Sequence, residues 1–149
     1  MRSAQLEPGR VFVLRLEDGE ILHEVVESFC ESNGIAYATV TATGGVDASS
    51  YFTVGPRAPV GDTIEPLTHT LSEPCELTGT GTVFPDADGN PIMHMHGSVG
   101  RDGKSVTGCF RRRMVAWVVL EVVIQELVGS GPVREVSDPR IESKLLEIR

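Results

Sequence analysis

Two histidines two residues apart, in an extended run that turns tightly and returns through a cysteine, are the residues here best suited to chemistry. The outward run is Met93-His94-Met95-His96-Gly97-Ser98-Val99-Gly100-Arg101, and the return is Lys104-Ser105-Val106-Thr107-Gly108-Cys109-Phe110-Arg111. Strand side chains alternate faces, so His94 and His96 project from one side about 6.6 Å apart along the chain. Asp102-Gly103 between them is a strong hairpin signal, because a type I′ turn needs positive φ at both central positions. Closed over two residues, the turn pairs Arg101 with Lys104, and counting back sets His96 opposite Cys109 and His94 opposite Arg111. A four-residue loop gives the same pairing, and an odd-length loop breaks it. Directly opposed residues share a face, with Cβ atoms about 5 Å apart. Two imidazole nitrogens and one thiolate are a donor set for Zn²⁺ or another first-row divalent ion, with a position left open for water or ligand. Arg111 beside that set supplies a cation for a small anionic ligand.

An H-x-H pair on a half-exposed strand is often only two polar residues, and the cross-strand thiol is what separates this one from that reading. His69, in Thr68-His69-Thr70 on another strand, reads as a surface histidine or as one further imidazole for the ion. Glu121 interrupts the last apolar run; it is expected to face solvent or, near the metal patch, to orient a ligand. Cys109 with His96 lacks an orienting acid, so thiol–imidazole catalysis is weakly supported. No G-x-S-x-G, P-loop or GxGxxG occurs. A metal-dependent hydrolase or lyase would need a general base, and none stands out. The acidic turn Pro85–Pro91 lacks the glutamate spacing of an EF-hand.

The elements that must hold this patch read as α+β. Val11–Leu16 is an opening strand, and Asp18-Gly19-Glu20 leads into a helix with carboxylates at its positive end. Ile21, Leu22, Val25, Val26, Phe29 and Cys30 form one apolar stripe, which makes Cys30 a core residue, and Asn33-Gly34 ends the helix. Strands follow at Ile35–Thr43 (closed by Gly44-Gly45), Val46–Val54, Thr63–Leu71 and Cys75–Phe84, with a loop over Gly55–Gly61. Val115–Leu127 is helix or strand by length, and its β-branched residues favour a long strand. Asp138-Pro139 and the apolar spacing after them predict a short C-terminal helix over Asp138–Glu147. The class is a largely antiparallel sheet with one main helix.

With 149 residues, 40% hydrophobic and 23% charged, the chain is one globular domain, residues 1–149. Such a length buries roughly 70% of its unfolded surface without disulfides. Its apolar runs are far short of the about 20 residues that span a membrane. The first residues, Met1–Glu7, show no apolar signal region, and the expected location is the cytoplasm. A net charge of −8 opposes a bare phosphate backbone. The one compact basic run, Arg111-Arg112-Arg113, alternates faces on a strand and reads as a solvated rim or subunit contact. Three cysteines without a C-x-x-C pair argue for reduced thiols in a reducing compartment.

In order and spacing, several segments together resemble one family. They are Val13-Leu14-Arg15-Leu16, Asn33-Gly34-Ile35, Ala42-Thr43-Gly44-Gly45-Val46, Glu73-Pro74-Cys75-Glu76-Leu77, His94-Met95-His96, Asp102-Gly103-Lys104 and Glu121-Val122-Val123-Ile124. Over about residues 8–128 they are similar to the plant-and-prokaryote conserved domain, which in plants sits beside AT-hook DNA-binding motifs and in prokaryotes usually stands alone. The resemblance implies an antiparallel sheet packed with helix and assembled as a homotrimer. It also implies a metal carried by the H-x-H pair and by a histidine of a Gly-Gly-His-Leu sequence on the next strand. Here Thr107-Gly108-Cys109-Phe110 stands in that place, so Cys109 replaces the histidine. The family's association with DNA and transcription makes a regulatory nucleic-acid module the alternative reading, but the Arg-Gly-Arg-Pro core of an AT-hook is absent.

Overall fold

The computed structural model describes residues 1–57, 64–111, 113–140 and 143–148. Runs rich in β-branched residues pair into one antiparallel sheet. Its strands are β1 (Glu7–Glu17), β2 (Ala38–Val46), β3 (Tyr51–Pro56), β4 (Pro66–Thr70), β5 (Cys75–Pro85), β6 (Pro91–Arg101), β7 (Lys104–Cys109) and β8 (Ala116–Val128). Their spatial order is β1-β8-β2-β5-β6-β7-β3-β4. β8 is the long strand that its Val/Ile content favours, and it lies between β1 and β2.

Strict alternation divides the sheet into two faces. Leu120, Val122 and Ile124 of β8, Val40 and Ala42 of β2, and Met93, Met95 and Val99 of β6 are buried on the inner face. Helix α1 (Leu22–Ser32) covers that face with Leu22, Val26 and Cys30. The outer face carries threonines (Thr39, Thr41 and Thr43 opposite Thr82, Thr80 and Thr78), the exposed valines Val13 and Val123, and the two histidines of β6. The helix ends as its sequence implies, at Asn33 and then Gly34 with φ 65°.

Several local expectations are corrected. Asp18 and Glu20 precede α1 as expected, but their carboxylates bond elsewhere than to the helix: Asp18 accepts from the Val118 amide at 2.8 Å, and Glu20 from the Glu17 amide at 2.7 Å. The first strand turn binds these groups before the helix can. β2 starts later than Ile35 and runs through Gly44-Gly45 to Val46. The following strand begins only at Tyr51, because the Asp47 carboxylate accepts from both the amide and the hydroxyl of Ser49 and makes a turn there. Most of the expected Gly55–Gly61 loop, and Thr63 of the next expected strand, lie outside the described residues.

The C-terminal helix is overturned where the chain is described. Leu145–Ile148 is a strand, β10, pairing antiparallel with β9 (Pro132–Glu135) in a separate two-stranded sheet. Asp138 does accept from the Arg140 amide, as a cap would, and also pairs with the Arg140 guanidinium. That bond closes only a local turn; β9, the strand just before it, claims the residues beyond it as its antiparallel partner. Ile141 and Glu142 lie outside the described residues.

Candidate metal centre

The hairpin forms with the register expected of Asp102-Gly103. Both residues have positive φ, 51° and 72°, and Arg101 pairs with Lys104. His96 is therefore opposite Cys109. β7 ends at Cys109, but the Phe110 amide still donates to the Met95 carbonyl at 2.8 Å, so the ladder holds one residue further. Phe110 is wholly buried on the inner face, edge-to-face with Phe52 at 5.3 Å between centroids. A Cβ on Gly97 would lie 2.5 Å from the Phe110 ring and 2.3 Å from the Thr78 carbonyl. Only a glycine lets that ring lie against β6, and the ring in turn anchors the chain between Cys109 and Arg111.

On the outer face the ligating atoms of His94, His96 and Cys109 lie within 4.8 Å of one another. The two Nε2 atoms face each other at 3.0 Å. Burial, then the charges of Arg111, Arg134 and His96, pushes the pKa of His94 down to about 3, so its ring is neutral at ordinary pH, the form that binds metal. His96 is exposed and Cys109 half-buried. A soft thiolate with two borderline nitrogens, gathered on one patch with one side open to solvent, fits a tetrahedral zinc-type ion that keeps a free position.

One wall of the patch comes from β9, a strand that the sequence analysis does not predict. Arg134 is 2% exposed; its Nη2 donates to Thr82 Oγ1 at 2.8 Å and its Nη1 donates to His94 Nδ1 at 3.4 Å. Its Nε is buried without a partner, and the guanidinium lies over the Phe84 ring. Lys144 closes the same wall. Its carbonyl accepts from Arg111 Nη1 at 3.2 Å, and its ammonium donates to Asp86 at 2.7 Å. Nothing in the spacing of a lone arginine signals such burial; only the packing of β9 against β5 reveals it.

The Lys144 ammonium, with the amides of Asn90 and Asp88, holds the buried Asp86 carboxyl well below the ordinary carboxylate range. A depressed carboxyl pKa contributes stability that is whole above the unfolded value, about 3.9, and is lost as pH falls through the folded value. Amide-exchange protection in β9 and β10 is accordingly expected to persist from neutral pH to about pH 4 and to decline below it. In Asp86→Asn it should already be low at neutral pH. Protection in that variant equal to wild type would remove this ion pair from the account.

The other candidate residues are placed apart. His69 is opposite Phe52 in the β3–β4 pairing, and their rings pack at 5.5 Å. The neighbouring residue of β3, Thr53, is the one opposite Cys109, so His69 faces away from the trio. Glu121 is exposed on the same outer face as the histidines, in the row of Thr43, Thr78 and Ser98. Three strand spacings separate it from β6, about 14 Å. It shares with His96 only an open trough of about 660 Å³ across the outer face. Arg111 is half-buried and turned to Lys144, Arg113 is exposed, and Arg112 lies outside the described residues.

The Plants and Prokaryotes Conserved (PCC) domain matches residues 3–128. The chain belongs to that family. The hairpin β9–β10 follows the matched span. A plant- and prokaryote-conserved protein of Pyrococcus horikoshii is 25% identical over 97% of each chain, with a TM-score of 0.80. A metal-containing protein of Archaeoglobus fulgidus is 28% identical over the whole of both chains, with a TM-score of 0.81. A Ralstonia eutropha JMP134 protein, described provisionally as DNA-binding, is 20% identical over 92% of this chain and 90% of its own, with a TM-score of 0.67. No curated protein matches the chain. Among the described residues no helix is long and apolar enough to cross a membrane.

Proposed function

We propose that this member of the PCC family is a metal-dependent binding protein. It holds a divalent ion, zinc by the softness of its donors, on His94, His96 and Cys109, and takes a small anionic ligand at the open position near Arg111. The observation that carries this reading is the convergence of two imidazoles and a thiol within 4.8 Å. The metal would supply Lewis acidity to a bound ligand. The residues themselves present a neutral His94, a thiol and neighbouring cations, with no general base beside them among the described residues, so binding is favoured over turnover. The metal-containing relative of Archaeoglobus fulgidus supports the same reading. The free state of Cys30, Cys75 and Cys109 suits a reducing cytoplasm. The uncovered outer face, with Val13 75% exposed, is the surface on which a homotrimer would form. Metal analysis of protein purified without an affinity tag tests the reading. About one equivalent of divalent metal per chain is expected, unchanged in His69→Ala. Near-zero metal in protein reloaded with zinc and then desalted would overturn it.

A second reading, contact with nucleic acid, is favoured only by relatives such as that of Ralstonia eutropha JMP134. The net charge of −8 and the inward turn of Arg111 work against it. We expect no retention on random duplex DNA at low salt; retention that falls steeply with salt and is lost in Arg111→Ser/Arg113→Ser would establish it instead.

A further inference from the structure

Arg134 is a buried cation to which no carboxylate is paired among the described residues. Its partners are a neutral hydroxyl and a neutral imidazole, and its Nε has none. A buried charge without a counter-charge is costly, which is why removing one partner of a buried ion pair is strongly destabilising. Arg111, held by the Lys144 carbonyl, adds a second cation to the same wall. Lys144 is spoken for by Asp86. The wall therefore brings surplus positive charge to the side of the His94–His96–Cys109 patch. A divalent ion held with one thiolate would leave one more positive charge, to which the two arginines add two.

The hydrogen bonds point the same way. Arginine only donates, so His94 Nδ1 must accept from Arg134, which leaves the ring proton on Nε2. That proton fits the 3.0 Å contact to His96 Nε2. A metal taken up by the facing Nε2 atoms would displace the proton to Nδ1. Nη1 of Arg134 and Nδ1 of His94 would then be two donors 3.4 Å apart with no acceptor between them. An oxygen of an anion satisfies both.

We propose that Arg134, carried in by the β9–β10 hairpin, is the receptor for a small doubly charged oxyanion of the phosphate type, bound beside the metal so that each raises the affinity of the other. This rests on the metal reading above. The guanidinium offers forked donors suited to such an ion, and Thr82 and Phe84 hold its plane. The linkage follows from charge and from the donor pair that metal uptake creates. By reciprocity the anion must strengthen metal binding by the factor by which the metal strengthens anion binding.

The test uses the full chain, Co²⁺ as probe metal and inorganic phosphate as probe anion, with thiolate-to-cobalt absorption as the readout. Phosphate, against chloride at equal ionic strength, is expected to raise Co²⁺ affinity of the wild type by about tenfold or more, and acetate by much less. Arg134→Gln is expected to keep the cobalt–thiolate band while the phosphate effect falls to about twofold or below. Thr82→Val, which removes only the acceptor that orients Nη2, should weaken the effect in a chain whose core is untouched. A wild-type band with equal Co²⁺ affinity in phosphate and chloride would overturn the anion receptor and leave the metal reading standing, whatever the variants do. Absence of the band in every condition would overturn the metal reading, and this inference with it.

Discussion

The double variant His94→Ala/His96→Ala is expected to carry no divalent metal where the wild type carries about one equivalent per chain. Both imidazoles leave a site that has three protein donors among the described residues, and a lone half-exposed thiol does not hold a borderline ion against buffer. The variant is expected to stay folded without metal, because neither ring contributes to the inner face. The core of β6 is Met93, Met95 and Val99, and His96 is exposed. Apo stability should therefore fall by about 1–3 kcal/mol, most of it because the loss of His94 leaves Nη1 of the buried Arg134 without its acceptor. Cys109→Ser makes the complementary case. It keeps the volume and the register but exchanges a soft donor for a hydroxyl, so the cobalt–thiolate band should vanish while weak binding through nitrogen persists. The comparison is made on protein loaded with Co²⁺ or Zn²⁺, desalted and assayed for metal, beside far-ultraviolet dichroism. Wild-type metal content in the folded double variant would remove the histidines from the site.

How far the sequence leads to this site depends on whether the deciding contact is local. The turn at Asp102-Gly103 is local: two residues that tolerate positive φ set the register, and the register alone brings Cys109 to His96. The stripe from Leu22 to Cys30 is legible for the same reason, since the 3.6-residue period is a property of a single helix. Arg111 is half legible. The pairing rule sets it opposite His94, but β7 stops at Cys109 and the guanidinium turns to the Lys144 carbonyl. His69 shows the limit of residue type as a guide, because facing is settled by its opposition to Phe52, a pairing between strands joined by a Gly/Pro-rich segment with no two-residue turn to fix the register. The C-terminal segment is the least legible. Asp138 and Pro139 are good signals for a helix start, and Asp138 does bond the Arg140 amide, yet β9 pairs with the residues that follow. Tertiary pairing of that kind overrides local propensity, and Arg134 is buried where β9 meets β5, against Thr82, Phe84 and Asp86.

Phe110→Ala is expected to be the most destabilising single change near the site, at about 3–5 kcal/mol, the range for removing a fully buried aromatic ring. Against a total stability of about 5–15 kcal/mol that is a large share. The ring is packed edge-to-face on Phe52 and lies on the bare backbone of Gly97, so its loss opens a cavity bounded by strands that cannot simply close. Because Phe110 is covalently between Cys109 and Arg111, the loosened segment should also weaken metal binding, although the ring is on the opposite face from the ion. Gly97→Ala attacks the same contact from the other strand, since its Cβ would enter both the ring and the Thr78 carbonyl. Overpacking of this kind costs about 1–3 kcal/mol. The two changes form a double-mutant cycle. Once the ring is gone, the new methyl group at residue 97 has space on that side and meets only the Thr78 carbonyl and the Gly79 Cα, so the pair should cost less than the sum of the singles by about 1 kcal/mol. Urea denaturation of the four apo proteins measures the cycle, and metal affinity measured on the same four reports how closely the site follows the core. Additivity within about 0.5 kcal/mol would mean that ring and glycine are not in contact, and the anchoring of Cys109 by Phe110 would have to be abandoned.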